Sequence, residues 1–468
     1  MSIPFRAADV VRWTGARLLR GDPDVRFQGA SIDTRTLATG LLFIAIRGET
    51  HDAHSFLADA VLHGAAGLLV EAGRPLPAEL PAALPVLAVS DTTRALGALG
   101  AGHRAGFAGP VVAITGSNGK TTTKEMCAAI LGVRAPCLKT PGNWNNNFGV
   151  PLTLLLREPE HRVLVVEIGM NHRGEIAPLV ALARPSVGLI TNVGTAHIEN
   201  LGSQDEIALE KGELVAGLEP SAVAVLNADD PRVLAQAART RARIVTFGQK
   251  QKADVGAENV KALGERGFSF DLVTPEGSQP VHVPGLGETT VINALAAAAA
   301  ALAAGAGLGD VATGLERFRP LGGRMEQIHL PRNIIVLNDT YNANPQSMAV
   351  ALRSLAELKG SSRGLAVLGD MAELGDSASS AHRETGRLVA ELAIEWLFAV
   401  GGHAQETAAG AIEAGMQPGR IHVSEDHAQT SAEVAKILQR NDWVLVKGSR
   451  SSRMERVVEA LAASAAGS

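Results

Sequence analysis

Residues 111–126, VVAITGSNGKTTTKEM, constrain this chain more than any other segment. An apolar run enters a glycine-bearing loop, which passes into residues that favour a helix. Gly116 and Gly119 let backbone N–H groups close on an anion, and the N-terminus of the following helix adds partial positive charge. Lys120 is then placed to reach the β- and γ-phosphates of a nucleotide, with the Thr121 hydroxyl on a Mg²⁺ ion. The long form of this motif requires glycine at position 114, where this chain has Ile114, so the usable signature is the shorter T-G-x-x-G-K-T. Strand, lysine and threonine in this order predict ATP or GTP binding. The cradle is Thr115, Gly116, Ser117, Asn118, Gly119, Lys120, Thr121 and Thr122.

Such a loop needs a parallel sheet around it. Apolar runs at 111–115, 162–169, 186–193, 221–227 and 242–248 read as buried strands, with helical stretches between many of them. A second set occupies 333–340, 363–370, 396–402 and 443–449, and a third, shorter set 41–46, 67–70 and 86–89. The alternation predicts an α/β protein of three domains. These are an N-terminal α/β unit over 1–106, a central P-loop parallel-sheet ATPase domain over 107–321, and a C-terminal Rossmann-like α/β domain over 322–468. Residues 252–284 read as short antiparallel strands with turns at Gly264–Gly267 and Pro275–Gly277. Polar residues stand just after the apolar runs: Thr115-Gly116, Glu167, Asn192, Asp339, Asp370 and Lys447. Ligands of open α/β sheets bind at the carboxyl ends of strands, so chemistry is expected there.

Composition removes several other classes. A chain with 46 % apolar and 19 % charged residues buries cores and is not a disordered polymer. A formal charge of −5 argues against nucleic acid as the partner. Two cysteines, Cys127 and Cys137, exclude a disulfide scaffold and a cysteine-rich zinc site. The start, MSIPFRAADVVRW, lacks the apolar core of a signal peptide, which predicts a soluble cytoplasmic protein. Residues 289–309 carry no charge over 21 positions, long enough to span a bilayer, but they are mostly Ala and Gly. They predict a buried, closely packed helix and no membrane span.

Several polar positions admit two readings. Glu167 in EIGMNHRGEI is a metal-facing carboxylate or a solvated strand end. His197 in TNVGTAHIENLG is a ligand or a hydrogen-bonded loop histidine, and Lys211 in IALEKGEL stands on a helix, where lysines are usually at the surface. Asn293, ahead of the Ala-rich helix, is an N-cap or a nucleotide contact. In GNWNNNFGVP, Asn143, Asn145, Asn146 and Asn147 favour substrate contact, because so polar a loop is costly to order without one. NDTYNANPQSM, a polar cluster closing a strand, is simple turn chemistry or a functional cluster, and the chain's one tyrosine at 341 favours the second. Asp370 and Lys447 fit a substrate site or a folding role equally.

TGSNGKTT, together with these segments and with LGGRMEQI (321–328), resembles the Mur ligase family of ATP-dependent amide-forming enzymes over nearly the whole chain. Within it, DTYNANP points to members that join D-alanyl-D-alanine to UDP-N-acetylmuramoyl-tripeptide; sister ligases add single amino acids. The resemblance implies ATP and two Mg²⁺ ions, with Lys120, His197 and Lys211 catalytic. Thr121 and Glu167 would hold one ion, and His197 and a carbamylated Lys211 would help hold the other. Asn293 would lie near adenine, Arg324 on phosphate, and Asp339 with Asn342 at the nucleotide. SIDTRTLATGLLFIAIRGETHDAHSF (31–56) resembles the family's uridine-binding region, with Ser31, Thr34 and Arg35 on uracil or diphosphate. Ala53 departs from the usual glycine beside His54, which bears on the local loop shape. A monomer is expected. A folylpolyglutamate-type ligase shares the loop but not the N-terminal unit or DTYNANP. A regulatory NTPase would need neither a sugar-nucleotide site nor Lys211.

Overall fold

The computed structural model of the chain describes residues 2–48 and 51–466; Glu49 and Thr50 of the 31–56 segment lie outside the described residues. The strand Val111–Thr115 sits inside a six-stranded, wholly parallel sheet. Its order is Arg243–Phe247, Val223–Asn227, Val187–Ile190, Val111–Thr115, Val163–Glu167, Cys137–Lys139. The next strands in sequence go to one side and Val187–Ile190 to the other, so a crevice opens at the carboxyl end of Val111–Thr115. Both faces are covered, which explains the unbroken apolar run. Val112 and Ile114 pack under helices Lys120–Leu131, Thr289–Ala303 and Leu308–Arg317, while Val111 and Ala113 pack under Gly149–Leu155, Ile176–Ala183 and Gln204–Ala216.

The expected strands of the other units also form. Ile334–Asp339, Trp443–Lys447, Gly364–Gly369, Trp396–Val400 and Ile421–Ser424 make a parallel sheet, with Glu326–Leu330 antiparallel on one edge. In the first unit Ala30–Ser31, Leu42–Ile44, Gly67–Glu71 and Val86–Val89 run parallel, and Arg17–Arg20 adds an antiparallel edge. Gly256–Ala262, Phe268–Thr274 and Gly277–Val283 form the antiparallel sheet expected over 252–284.

Two details differ from expectation. The uncharged stretch 289–309 is not one helix: it breaks after Ala303, where Gly305 takes a φ of +99°, and a second helix starts at Leu308. Ala296 to Ala301 are almost wholly buried, as a close-packed helix requires, and no described helix is long and apolar enough to cross a membrane. The helix also begins earlier than expected. Asn293 is its fifth residue and Glu288 its cap, so the N-cap reading of Asn293 falls. Ala53 opens a short 3-10 turn with Asp52 accepting from the His54 N–H, in a conformation open to alanine, since φ is not positive there.

The first unit is joined to the centre through helix Thr92–Ala105, whose Asp91 cap accepts from the Arg94 N–H. His103 bonds Leu154 O and Ile3 O at 3.0 and 3.1 Å, and Arg104 donates to Ala183 O at 2.8 Å. Gly100 meets Pro151 so closely that a Cβ would lie 2.8 Å from the Pro151 Cα. Gly100→Ala is therefore expected to lower thermal stability by roughly 1–2 kcal/mol. Overpacking of about 1–3 kcal/mol exceeds the helix-propensity gain of about 1 kcal/mol. A calorimetric melting curve that rises on substitution would show that the junction tolerates a looser fit.

Candidate active site

At the crevice lies a cavity of about 1270 Å³, walled by all three units: Arg47 and Gly48 from the first, the phosphate loop, asparagine loop and Glu167 from the centre, and Arg324, Asp339 and Lys447 from the third. Of the residues expected from sequence, Ser117 to Thr122, Asn143, Asn145, Asn146, Asn147, Glu167, His197, Asn293, Arg324, Asp339 and Asn342 line it. Thr115, Gly116, Lys211, Ser31, Thr34 and Arg35 are not on its wall.

The two loop glycines are required by their neighbours. Gly116 has φ +148° and a Cβ there would fall 1.8 Å from Thr191 Oγ1; Gly119 has φ +79° and would place a Cβ 2.3 Å from Asn293 Oδ1. Asn293, from inside its helix, thus sits directly against the loop. Lys120 Nζ folds over the loop and donates to Gly116 O at 2.7 Å and Ser117 O at 3.3 Å. Burial lowers its pKa, the Glu167 charge opposes that shift, and Arg324 adds to it.

Glu167 ends its strand at 2 % exposure. Its Oε1 accepts from Asn145 Nδ2 at 2.8 Å, and its Oε2 is buried with no hydrogen-bond partner. A buried carboxylate oxygen without a hydrogen-bond partner, in a wall that also carries Thr121, suits a hard cation. Among the described residues no three His, Cys, Asp or Glu side chains cluster to hold a metal. Thr121 Oγ1 here accepts from Arg324 Nη2 at 2.8 Å. His197 Nδ1 lies 2.5 Å from Glu373 Oε2 without hydrogen-bond alignment, and this proximity holds the Glu373 carboxyl below the usual range.

Lys211 overturns the usual expectation for a helical lysine: it is 1 % exposed. Burial pushes its pKa well below the ordinary lysine value, and the Lys120 charge pushes the same way. The nearby Glu210 carboxylate opposes that shift. The asparagine loop divides its labour. Asn146 Oδ1 accepts from the Phe148 and Gly149 N–H groups, a turn role, whereas Asn145 engages Glu167. In the first unit Arg35 is fully exposed and pairs with Asp33 at 2.6 Å, and Ser31 Oγ bonds backbone at Asp33.

The third unit meets the phosphate loop directly. Arg324 reaches Thr121 while its guanidinium lies 3.8 Å over the Tyr341 ring, Asn344 Nδ2 donates to Asn118 Oδ1 at 2.8 Å, and Thr195 Oγ1 donates to Gln346 Oε1 at 2.8 Å. Tyr341 is thus part of the site and not a turn residue. Asp339 and Lys447 stand opposite each other in adjacent strands, with Oδ2 and Nζ 2.6 Å apart and Lys447 only 2 % exposed. Asp370 turns away from the cavity to accept from the Gly402 and His403 N–H groups, which is a folding role. Sequence reasoning missed Glu373, three residues on from Asp370, and Gln346, within the quoted NDTYNANPQSM. It also missed Lys124, whose only signal was its place in the phosphate-loop helix.

The Mur ligase middle domain matches residues 114–301, and the Mur ligase glutamate ligase domain matches 323–450. The chain is 40 % identical over 447 residues to the UDP-N-acetylmuramoyl-tripeptide–D-alanyl-D-alanine ligase of Escherichia coli K12, covering 94 % of each chain. The MurF crystal structure from Acinetobacter baumannii superposes with a TM-score of 0.89 at 36 % identity, over 99 % of each chain. The MurF structure from Thermotoga maritima in complex with ADP gives 0.79 at 26 % identity, over 94 % of this chain and 98 % of that one.

Asp339→Ala is expected to cost about 3–5 kcal/mol, because it leaves the Lys447 ammonium buried and unpaired. It should also weaken ATP binding while sparing affinity for a UDP-linked substrate. Thermal unfolding and calorimetric titration of each ligand check this; lost UDP-substrate affinity with intact ATP binding would reverse the assignment of the third unit.

Proposed function

The chain belongs to the Mur ligase family, and from that premise we propose that this cavity is where its reactants meet, with the residue roles below. The protein is an ATP-dependent ligase that joins D-alanyl-D-alanine to UDP-N-acetylmuramoyl-tripeptide, giving the pentapeptide, ADP and phosphate in peptidoglycan precursor synthesis. The observation that carries the site reading is the third unit resting on the phosphate loop through Arg324 and Asn344, over a cavity that also reaches the asparagine loop.

Amide formation from an ionised carboxylate is uphill in water. Transfer of the γ-phosphoryl group of ATP to the tripeptide carboxylate yields ADP and an acyl phosphate. The neutral dipeptide amine then attacks the acyl carbon; the C–O bond breaks, phosphate departs, and the amine loses a proton. Lys120, at the loop that would hold the phosphates, offers positive charge to the transferring group. Arg324 is held flat by Tyr341 and adds a second cation from the opposite unit. The contacts of Asn344 and Gln346 close the third unit and exclude water, which would otherwise hydrolyse the acyl phosphate. The asparagine loop and the first unit, with Ser31, Thr34 and Arg35, take the UDP-sugar. Asn293, Asp339 and Asn342 take the nucleoside end of ATP.

Mg²⁺, when bound, neutralises phosphate charge. The orphaned Glu167 oxygen and the Thr121 hydroxyl fit one ion, and His197 with Lys211 would attend a second. The family resemblance implies a carbamylated Lys211. An uncharged amine adds to CO₂ and releases a proton, and the resulting anion would lie within the influence of the Lys120 cation. The enzyme works in the cytoplasm, where ATP is available.

Phosphate release from ATP and Mg²⁺ should require both UDP-N-acetylmuramoyl-tripeptide and D-alanyl-D-alanine, with a pentapeptide product by mass. Release that ignores the dipeptide would remove the dipeptide from this site. Lys211→Ala should be nearly inactive and regain part of its turnover with a short carboxylic acid; full activity without that acid would refute the carbamate.

A further inference from the structure

Lys124 is a wholly buried lysine beside the site that the reaction scheme leaves unused. It stands one turn after Lys120 on helix Lys120–Leu131 with 0 % exposure, where a charged amine is costly unless its donors are engaged. Its Nζ donates to Thr140 O at 2.8 Å and Gly142 O at 3.2 Å, the two carbonyls at the entrance of the asparagine loop. On its other side it lies 3.7 Å from Glu167 Oε2, the oxygen with no hydrogen-bond partner, and 3.3 Å from Glu125 Oε1.

The same segment is tied to the Glu167 strand end by three further bonds, one of them to the carboxylate. Thr140 Oγ1 accepts from the Glu167 N–H at 2.9 Å, Asn145 Nδ2 donates to Glu167 Oε1 at 2.8 Å, and Asn145 O accepts from the Gly169 N–H at 2.8 Å. Gly169 is part of the fit, since a Cβ would come within 2.8 Å of the Asn145 amide. Helix, loop and Glu167 therefore form one connected body. A displacement of the loop moves both the carbonyls that hold Lys124 and the amide that holds Glu167.

We propose that Lys124 is a positioning residue that couples the asparagine loop 142–147 to Glu167, so that filling the loop with the UDP-linked substrate and binding Mg²⁺ at Glu167 favour each other. The inference rests on the reading of that loop as a substrate contact and of Glu167 as a cation ligand. By linkage the effect is reciprocal and is measurable as a change in affinity. A buried ion pair serving stability alone would lower the melting temperature of a variant and leave the coupling intact.

The test is calorimetric titration of Mg²⁺ into the enzyme–ADP complex, with and without UDP-N-acetylmuramoyl-tripeptide. In the natural protein the substrate should tighten Mg²⁺ about tenfold, a common size for coupling between sites. In Lys124→Met, which keeps length and removes the charge and donors, the ratio should fall to about one. Amide exchange across 140–149 should also quicken in that metal-free variant. A coupling of natural size in a cooperatively melting Lys124→Met, or none in the natural protein, would overturn the inference. If Lys124→Met does not melt cooperatively, Asn145→Ala cuts the same link from the loop side and decides the matter by the same ratio. A natural protein that binds no UDP-linked substrate would overturn the site reading itself, and is distinguished by its flat titration with that substrate alone.

Discussion

The site depends on buried positive charge. Lys120, Lys124 and Lys211 stand on two helices beneath the crevice, Lys124 and Lys211 fully buried, and the Glu167 charge acts on both Lys120 and Lys124. Burial of an ammonium disfavours its charged form, and the fold answers differently each time. Lys120 rests on the carbonyls of its own loop, Lys124 is shared among loop carbonyls and two carboxylates, and Lys211 has its pKa pushed well below the ordinary lysine value. Such a wall is matched by polyphosphate, the most highly charged anion that the loop motif accommodates.

The arrangement of sheets makes that wall usable. The parallel central sheet places Thr115, Glu167 and Asn192 at neighbouring strand ends, and the third sheet delivers Asp339 and Lys447 in the same way. Two carboxyl edges then face one cavity, and the contacts between them are short polar ones: Arg324 to Thr121, Asn344 to Asn118, Thr195 to Gln346. Polar contacts of this kind can exchange with water, whereas Leu286 of the centre is buried in the core of the third unit. The first unit, by contrast, is welded through Gly100, His103 and Arg104 to buried backbone of the centre.

Much of this is legible in the sequence alone. Every apolar run named as a strand in the central and third units is one, because a strand covered on both faces leaves an unbroken hydrophobic signal. The phosphate loop was legible because its glycines and lysine are tied to local backbone geometry. Asn293 was found but misplaced relative to its helix start, since helix ends depend on capping partners that lie nearby in space.

The sequence by itself determined the α/β class, the position of the phosphate loop and the set of polar strand ends, all of which follow from local periodicity and local backbone demands. Tertiary structure alone decided which charged side chains are buried and whom they meet. Lys124 and Lys211 look like ordinary helix lysines in the chain and are interior groups in the fold. Asp370 and Glu373, three positions apart, part company, one capping backbone and the other facing the cavity beside His197. The physical reason is the same throughout: a hydrophobic period is written within one segment, whereas the partner of a buried charge comes from another, brought near only when the layers pack.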